Sequence, residues 1–274
     1  MTATAIHWRQ RRRLLCAGLL CSAGWPGPAL SQAAADPFEG DPFKSFQWPE
    51  LKKEFLGAGA RVRFDDRVKV LGPAFAEDPM NVPITVSVGP TLRGVQRIVV
   101  LVDRNPIRKV LEMQPLEAQA TVGFRFKLEQ ASPVRALAQT ADGHWHVGGT
   151  WVDSAGGGCT VSGASRTDGS WSQTLGQVSG RLFASSTPGG DSATRLRLRI
   201  MHPMDTGLVG GVPAFFVSKL TLRDGQEREL LQVQTFEPVS ENPVFTFDFA
   251  QRPSGPLRLV GVDNNGNRIN SRIE

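Results

Sequence analysis

The chain has 274 residues, with 31 lysines and arginines against 26 acidic residues, three cysteines and no tyrosine. Four of the basic residues, Arg9, Arg11, Arg12 and Arg13, lie in the first 33 positions, which hold no acid, so the rest carries 27 basic against 26 acidic side chains. That balance removes the basis for a nucleic-acid or anionic-membrane role resting on bulk charge, and roughly 240 residues suffice for one large or two ordinary domains.

Residues 1–33 read as a cleavable export signal. A basic start is followed by the apolar stretch Leu14 to Ala23, too short to span a bilayer, then by Pro26, Pro28 and small residues from Ala29 to Ala33. Paired arginines before the leucines fit the twin-arginine type, with an ordinary secretory signal as the alternative. The mature chain is expected in the periplasm, with no stable membrane insertion. Residues 34–48 form a polar lead-in. Pro49 to Leu56 reads as a short helix, with Pro near its start and Gly57 and Gly59 after its end.

Helical periodicity then stops. Short β-rich runs recur at 61–71, 82–88, 96–102, 121–128, 134–139 and 145–152, with Asp142-Gly143 as a turn before the last. This rhythm predicts an antiparallel sandwich over 49–153. Residues 154–170 read as a Gly-rich arm and linker, and Ser, Thr and Gly stay abundant as far as Thr194, with a strand expected at 171–183. A second sandwich is expected over 171–274. It includes the alternating 195–201, then 215–222, 230–235, 244–249, 257–262 and 269–273, with Asn264-Asn265-Gly266 as a hairpin turn. The fold class is all-β, two antiparallel sandwiches joined by the arm.

Cys159 is the one cysteine outside the export signal, since Cys16 and Cys21 lie within it. An exported protein with one leftover cysteine has no internal disulfide partner for it, which marks a reactive thiol. Gly156, Gly157 and Gly158 precede it. Glycine gives the backbone its widest freedom, so the segment is expected to be mobile, poorly ordered and exposed, with a thiol pKa near about 8.5. Arg166 is close enough in sequence to lower that value, or is a solvated linker residue. Extended chain covers about 3.3–3.6 Å per residue, so Asp153 to Cys159 reaches about 20 Å.

His144 and His146 alternate on an expected strand, but two ligands are too few for a zinc site, and a strand face is the better reading. Asp65, Asp66 and Arg67 read as a solvated turn. Trp145 and Trp151 read as core or interdomain anchors. No catalytic constellation, metal site or cofactor motif is visible, so the chain reads as a non-enzyme.

Several segments resemble SoxY and SoxZ, the two halves of the carrier of a bacterial thiosulfate-oxidising system. Gly157, Gly158 and Cys159 match the first three residues of the SoxY Gly-Gly-Cys-Gly-Gly arm, and Thr160 and Val161 depart from its last two. Val102-Asp103-Arg104-Asn105-Pro106 resembles a SoxY strand-end segment. His202-Pro203-Met204-Asp205-Thr206-Gly207 resembles a SoxZ signature, and Pro238-Val239-Ser240-Glu241-Asn242-Pro243 resembles its second loop. Fused chains of this order are similar to the SoxYZ-like carriers found with quinoprotein (PQQ) dehydrogenase systems.

The resemblance implies immunoglobulin-like sandwiches in both halves, docked on each other, and a covalent sulfur intermediate on Cys159 presented to periplasmic sulfur-oxidising or quinoprotein dehydrogenase-associated enzymes. A non-covalent accessory role in such a dehydrogenase system, with Cys159 incidental, is the other reading. His202, Pro203, Met204, Asn242 and Pro243 are expected to serve structure or an interface. In the Phe215-Phe216-Val217 run, at least one side chain is expected to face the other domain. An internal arm enters a partner's cleft as a doubled chain, unlike a terminal one, which bears on which partners accept it.

Overall fold

Pro49 fixes the first turn of α1 (Trp48–Leu56), and Gly57 ends it with φ of 89°. In this computed structural model, which describes residues 36–186 and 192–273, α1 lays Trp48 and Leu51 on Val99, Leu101, Leu137, Trp145 and Val147. Full burial of a leucine side chain contributes about 1.5–3 kcal/mol, enough to hold a nine-residue helix that would be marginal alone. The export-signal expectation, with Cys16 and Cys21, lies outside the described residues.

The first half contributes β1 (Val62–Phe64), β2 (Val68–Leu71), β3 (Phe75–Ala76), β4 (Val82–Val88), β5 (Val95–Val102), β6 (Lys109–Gln114), β7 (Thr121–Phe126), β8 (Ser132–Thr140) and β9 (Trp145–Ser154). Two short helices follow, α2 (Ala164–Asp168) and α3 (Trp171–Thr174). The second half adds β10 (Val178–Ser186), β11 (Ser192–Ile200), β12 (Val217–Arg223), β13 (Glu229–Thr235), β14 (Val244–Phe249), β15 (Leu257–Asp263) and β16 (Arg268–Ile273). Strand β6 is a finding beyond the sequence reading. Its Lys109, Glu112 and Gln114 are poor strand formers, and they mask the buried Val110, Leu111 and Met113. The segment expected as a strand from Trp171 is helical at its start, and the strand begins at Val178.

The two halves are joined through both sheets. One sheet runs β1-β9-β8-β5-β6-β13-β12-β15-β16, with β3 also on β9, and the other runs β10-β11-β14-β7-β4-β2. Across the join, β6 pairs antiparallel with β13, Met113 opposite Val233, and β7 pairs with β14, Gly123 opposite Thr246. Strand edges that would otherwise expose unpaired amides are thereby closed. The inner faces of both sheets feed one hydrophobic core, from Val82 and Val100 through Phe124 to Phe247 and Ile273. Phe215 packs on the rings of His202 and Trp171.

Candidate functional site

The chain continues past the end of β7 at Phe126 into Lys127, Leu128 and Glu129, and this segment is the seat of Cys159. The Gly157 N–H donates to the Glu129 carbonyl at 3.1 Å and the Gly158 N–H to the Leu128 carbonyl at 3.2 Å. The Cys159 N–H donates to the Glu129 carboxylate at 2.8 Å, and its thiol to the Lys127 carbonyl at 3.4 Å. The Thr160 hydroxyl adds a third bond to Glu129 at 3.1 Å.

The glycines shape this seat rather than loosen it. Gly156 and Gly157 have φ of 94° and 85°, the left-handed half of backbone space. A Cβ on Gly158 would lie 2.2 Å from the Pro79 carbonyl and 2.6 Å from that of Leu128. The expected exposed, mobile arm is therefore corrected: Cys159 is 0% exposed. Its thiol is pushed up to about 12, first by burial and then by the Glu129 carboxylate, against a smaller opposing pull from Lys127. The expected value near 8.5 belongs to a free thiol, and this one is not free.

The second half closes the seat. The Thr206 hydroxyl donates to the Cys159 carbonyl at 2.7 Å. The buried Lys127 ammonium donates to the Met204 carbonyl, and burial pushes its pKa down against the attraction of Asp205, Cys159 and Glu241. Arg166 of α2 is ion-paired with the buried Asp205 and stacks over Trp171, 4.4 Å from the ring centroid. It is thus a clasp, which corrects the reading of a solvated linker residue, and it is Lys127 rather than Arg166 that pulls the thiol down. Glu241 accepts the Ser165 N–H at 2.7 Å.

The motif residues chosen from sequence converge here. His202 and Asn242 exchange bonds, His202 N–H to Asn242 Oδ1 at 3.0 Å and Asn242 N–H to the His202 carbonyl at 2.8 Å. His202 Nδ1 accepts the Met204 N–H at 3.1 Å, and burial holds the imidazole down at about 4. Met204 and Asn242 both have left-handed backbone, φ 50° and 47°. Asparagine tolerates that region, whereas a methionine there stores about 1–3 kcal/mol of strain. Pro203 and Pro243 flank these two residues in the same loops, and the Pro243 carbonyl accepts the Ile200 N–H. Asn105, from the SoxY-resembling segment, donates to the Lys127 carbonyl at 2.7 Å and accepts the Glu129 N–H at 2.8 Å, bracing the strand end beneath the thiol.

Lys127, Glu129, Asp205 and Thr206 join the site beyond the residues expected from the sequence. Asp205 and Thr206 lie inside the quoted signature, where a signal existed. Lys127 gave none, because its position next to the inward Phe126 predicts an outward, solvated side chain. The histidine pair separates: His144 sits in the turn before β9 beside Asp142, while His146 Nδ1 lies 2.7 Å from Asp65. Asp65 is not simply solvated, since Arg67 and His146 hold its carboxyl well below the usual range. Trp145 is buried beneath Arg97, and Trp151 lies at the rim under Arg104.

Two family models match the sequence. One, described as sulfur oxidation protein SoxY, covers residues 52–159, and the other, sulphur oxidation protein SoxZ, covers 185–274. Among solved structures, the sulfur carrier protein SoxY from Chlorobium limicola f thiosulfatophilum is similar at 16% identity and a TM-score of 0.36, over 40% of this chain and 96% of that one. No curated protein matches the chain.

Proposed function

Because the chain belongs to the SoxY and SoxZ families, one domain of each in that order, we propose that it is a periplasmic carrier that holds a sulfur-containing intermediate covalently on Cys159 and presents it to partner enzymes. The observation that carries this reading is the position of Cys159. The SoxY match ends on it, it is the cysteine among the described residues, and both halves hydrogen-bond to its backbone.

The buried seat supports reading this state as the closed form of such a carrier. A thiol held at about 12 is protonated at neutral pH, and the thiolate is the nucleophile. Opening breaks the Glu129 and Thr206 bonds and the Arg166–Asp205 clasp, and returns the thiol toward about 8.5, raising its thiolate fraction roughly three-thousandfold. Joining the thiol to thiosulfate forms one S–S bond and releases a proton and two electrons, so an electron-accepting partner is needed. The chain's own residues hold, shield and release the sulfur.

Tetrathionate supplies the oxidation equivalents in a test without partners. The thiolate attacks a central sulfur, thiosulfate leaves, and Cys159 keeps one thiosulfate unit. Intact-mass measurement should show that gain in the purified chain, accelerated by Glu129→Ala and absent in Cys159→Ser. A chain that stays unmodified even in the Glu129→Ala variant would end the covalent-carrier reading.

A further inference from the structure

The outward side chains of the six-stranded sheet form a cationic face. They comprise Lys69 on β2, Arg125 on β7, Arg181 on β10, and Arg195, Arg197 and Arg199 on β11, all exposed. The one carboxylate among them is Asp248 on β14, which takes Arg195 in a two-point bond at 2.8 and 2.9 Å. Six cations against one acid on a single face is a strong segregation in a chain whose balance beyond residue 33 is 27 to 26. The other sheet carries its charges in pairs, Arg97–Glu112, Lys109–Glu112 and Arg223–Glu229 among them.

Folding alone does not favour this arrangement. Arg181 stands directly opposite Arg197 in the β10–β11 register, and like charges so placed destabilise a sheet. The face is also shaped. Val244, Thr246 and Gly123 are small and floor a groove of about 370 Å³ rimmed by Arg125, Arg195, Arg197 and the exposed Phe183. A contiguous groove lined by Arg125, Arg197 and Arg199, with the carboxylates Asp78 and Glu241 at its far side, leads to Ala164 of α2, next to the Glu241–Ser165 contact of the loops that close the seat. Arg125 lies two residues before Lys127, about 7 Å of extended chain.

We propose that this face docks an acidic protein surface, positioning it at the mouth of the Cys159 seat. The chemistry favours carboxylates. Arginine forks bind them with two parallel bonds, and the Arg195–Asp248 pair shows that geometry on this same face. A membrane is disfavoured, because the cations rim a depression instead of surrounding a protruding apolar wedge. The inference stands on the charge pattern, and only the partner's link to sulfur chemistry rests on the carrier reading.

The test is fluorescence anisotropy of a labelled decaglutamate peptide with the purified chain at two ionic strengths. Binding should weaken steeply with salt. The folded variant R125Q/R197Q/R199Q should bind about tenfold more weakly, three exposed pairs being lost, and the corresponding triple lysine variant should fall between. R93Q/R252Q/R268Q removes the same charge from exposed positions elsewhere and should bind as the parent does. Equal losses in the two glutamine variants would reduce the effect to bulk charge and overturn the proposal. So would an absence of peptide binding, or arginine-dependent binding to phosphatidylglycerol vesicles in its place. A dimer dissolved by R125Q/R197Q/R199Q would assign the face to a second copy, and overturn it equally. The tetrathionate reaction of Cys159 is scored separately, so either reading can fail without the other.

Discussion

Two buried polar clusters in this molecule have similar seclusion and opposite character. In the first, Arg135 is 0% exposed and fully paired. Its guanidinium meets Asp103 at 2.7 and 2.8 Å and Asp41 at 2.6 and 2.8 Å, between the rings of Trp48 and Phe43. In the second, around Cys159, Lys127 has its ammonium on a carbonyl rather than a carboxylate. His202 Nε2 reaches only a long contact with the Asp263 carboxylate at 3.5 Å, Ser165 Oγ has no hydrogen-bond partner, and Met204 sits in left-handed backbone. Burial without satisfaction is costly. The Arg135 cluster therefore rivets the lead-in to β8, whereas the Cys159 cluster is a catch that has something to gain by opening.

The comparison breaks most visibly at Arg135. Arg135→Met leaves Asp41 and Asp103 buried without a counter-charge, which costs about 3–5 kcal/mol. Chemical denaturation should show that loss. A change below about 1 kcal/mol would mean that the triad is as loosely coupled as the Cys159 cluster.

Acid separates the clusters next. His202 is held at about 4, from a model-peptide value of 6.5, chiefly by burial, with Asp263 and Asp205 opposing and Arg166 assisting. A histidine whose folded pKa lies below its unfolded one takes up its proton mainly on unfolding. Its neutral form thus contributes stability fully above about 6.5, and that contribution is lost as pH falls toward 4, by up to about 3 kcal/mol. Denaturation of the parent and of His202→Gln at neutral pH and near pH 4.5 isolates it. The parent should lose more than the variant, and parallel losses would remove His202 from the catch.

Gly158→Ala sharpens the point at the arm. Its Cβ meets two backbone carbonyls, neither a flexible side chain. Overpacking of this kind costs about 1–3 kcal/mol, so the arm should be expelled and iodoacetamide should modify Cys159 roughly ten- to a hundredfold faster. An unchanged rate would show that the seat does not control the thiol.

How much of this was legible from sequence follows the range of the interactions. Alternation such as Leu196, Leu198 and Ile200 exposed β11, because an inward face is a local property of two-residue period. The turn at Asn264-Asn265-Gly266 and the helix begun at Pro49 are local in the same sense. The His202 and Asn242 loops were visible as motifs. Three features were not legible. The β6–β13 and β7–β14 pairings join positions more than a hundred residues apart, with nothing local to announce them. Lys127 is buried only because the arm and the Met204 loop fold over it. The glycines before Cys159 carry one composition and two meanings, freedom or close approach, and only the carbonyls of Pro79 and Leu128 decide between them.

The smallest expected effect tests whether the second half takes part in the catch at all. Thr206→Val keeps side-chain shape and removes the hydroxyl that donates to the Cys159 carbonyl at 2.7 Å. One such bond contributes about 1 kcal/mol, so the closed state should lose roughly a factor of five and the alkylation rate should rise by the same factor. Global stability should fall by no more than that, since the two halves remain joined through both sheets. Raising pH acts in the same direction. The folded thiol stays protonated up to about 12, so stability from the closed arm is present below about 9 and is lost as pH rises toward 12. If Thr206→Val leaves the alkylation rate at its parent value across that range, the catch is built by the first half alone, and the Thr206 contact is incidental to it.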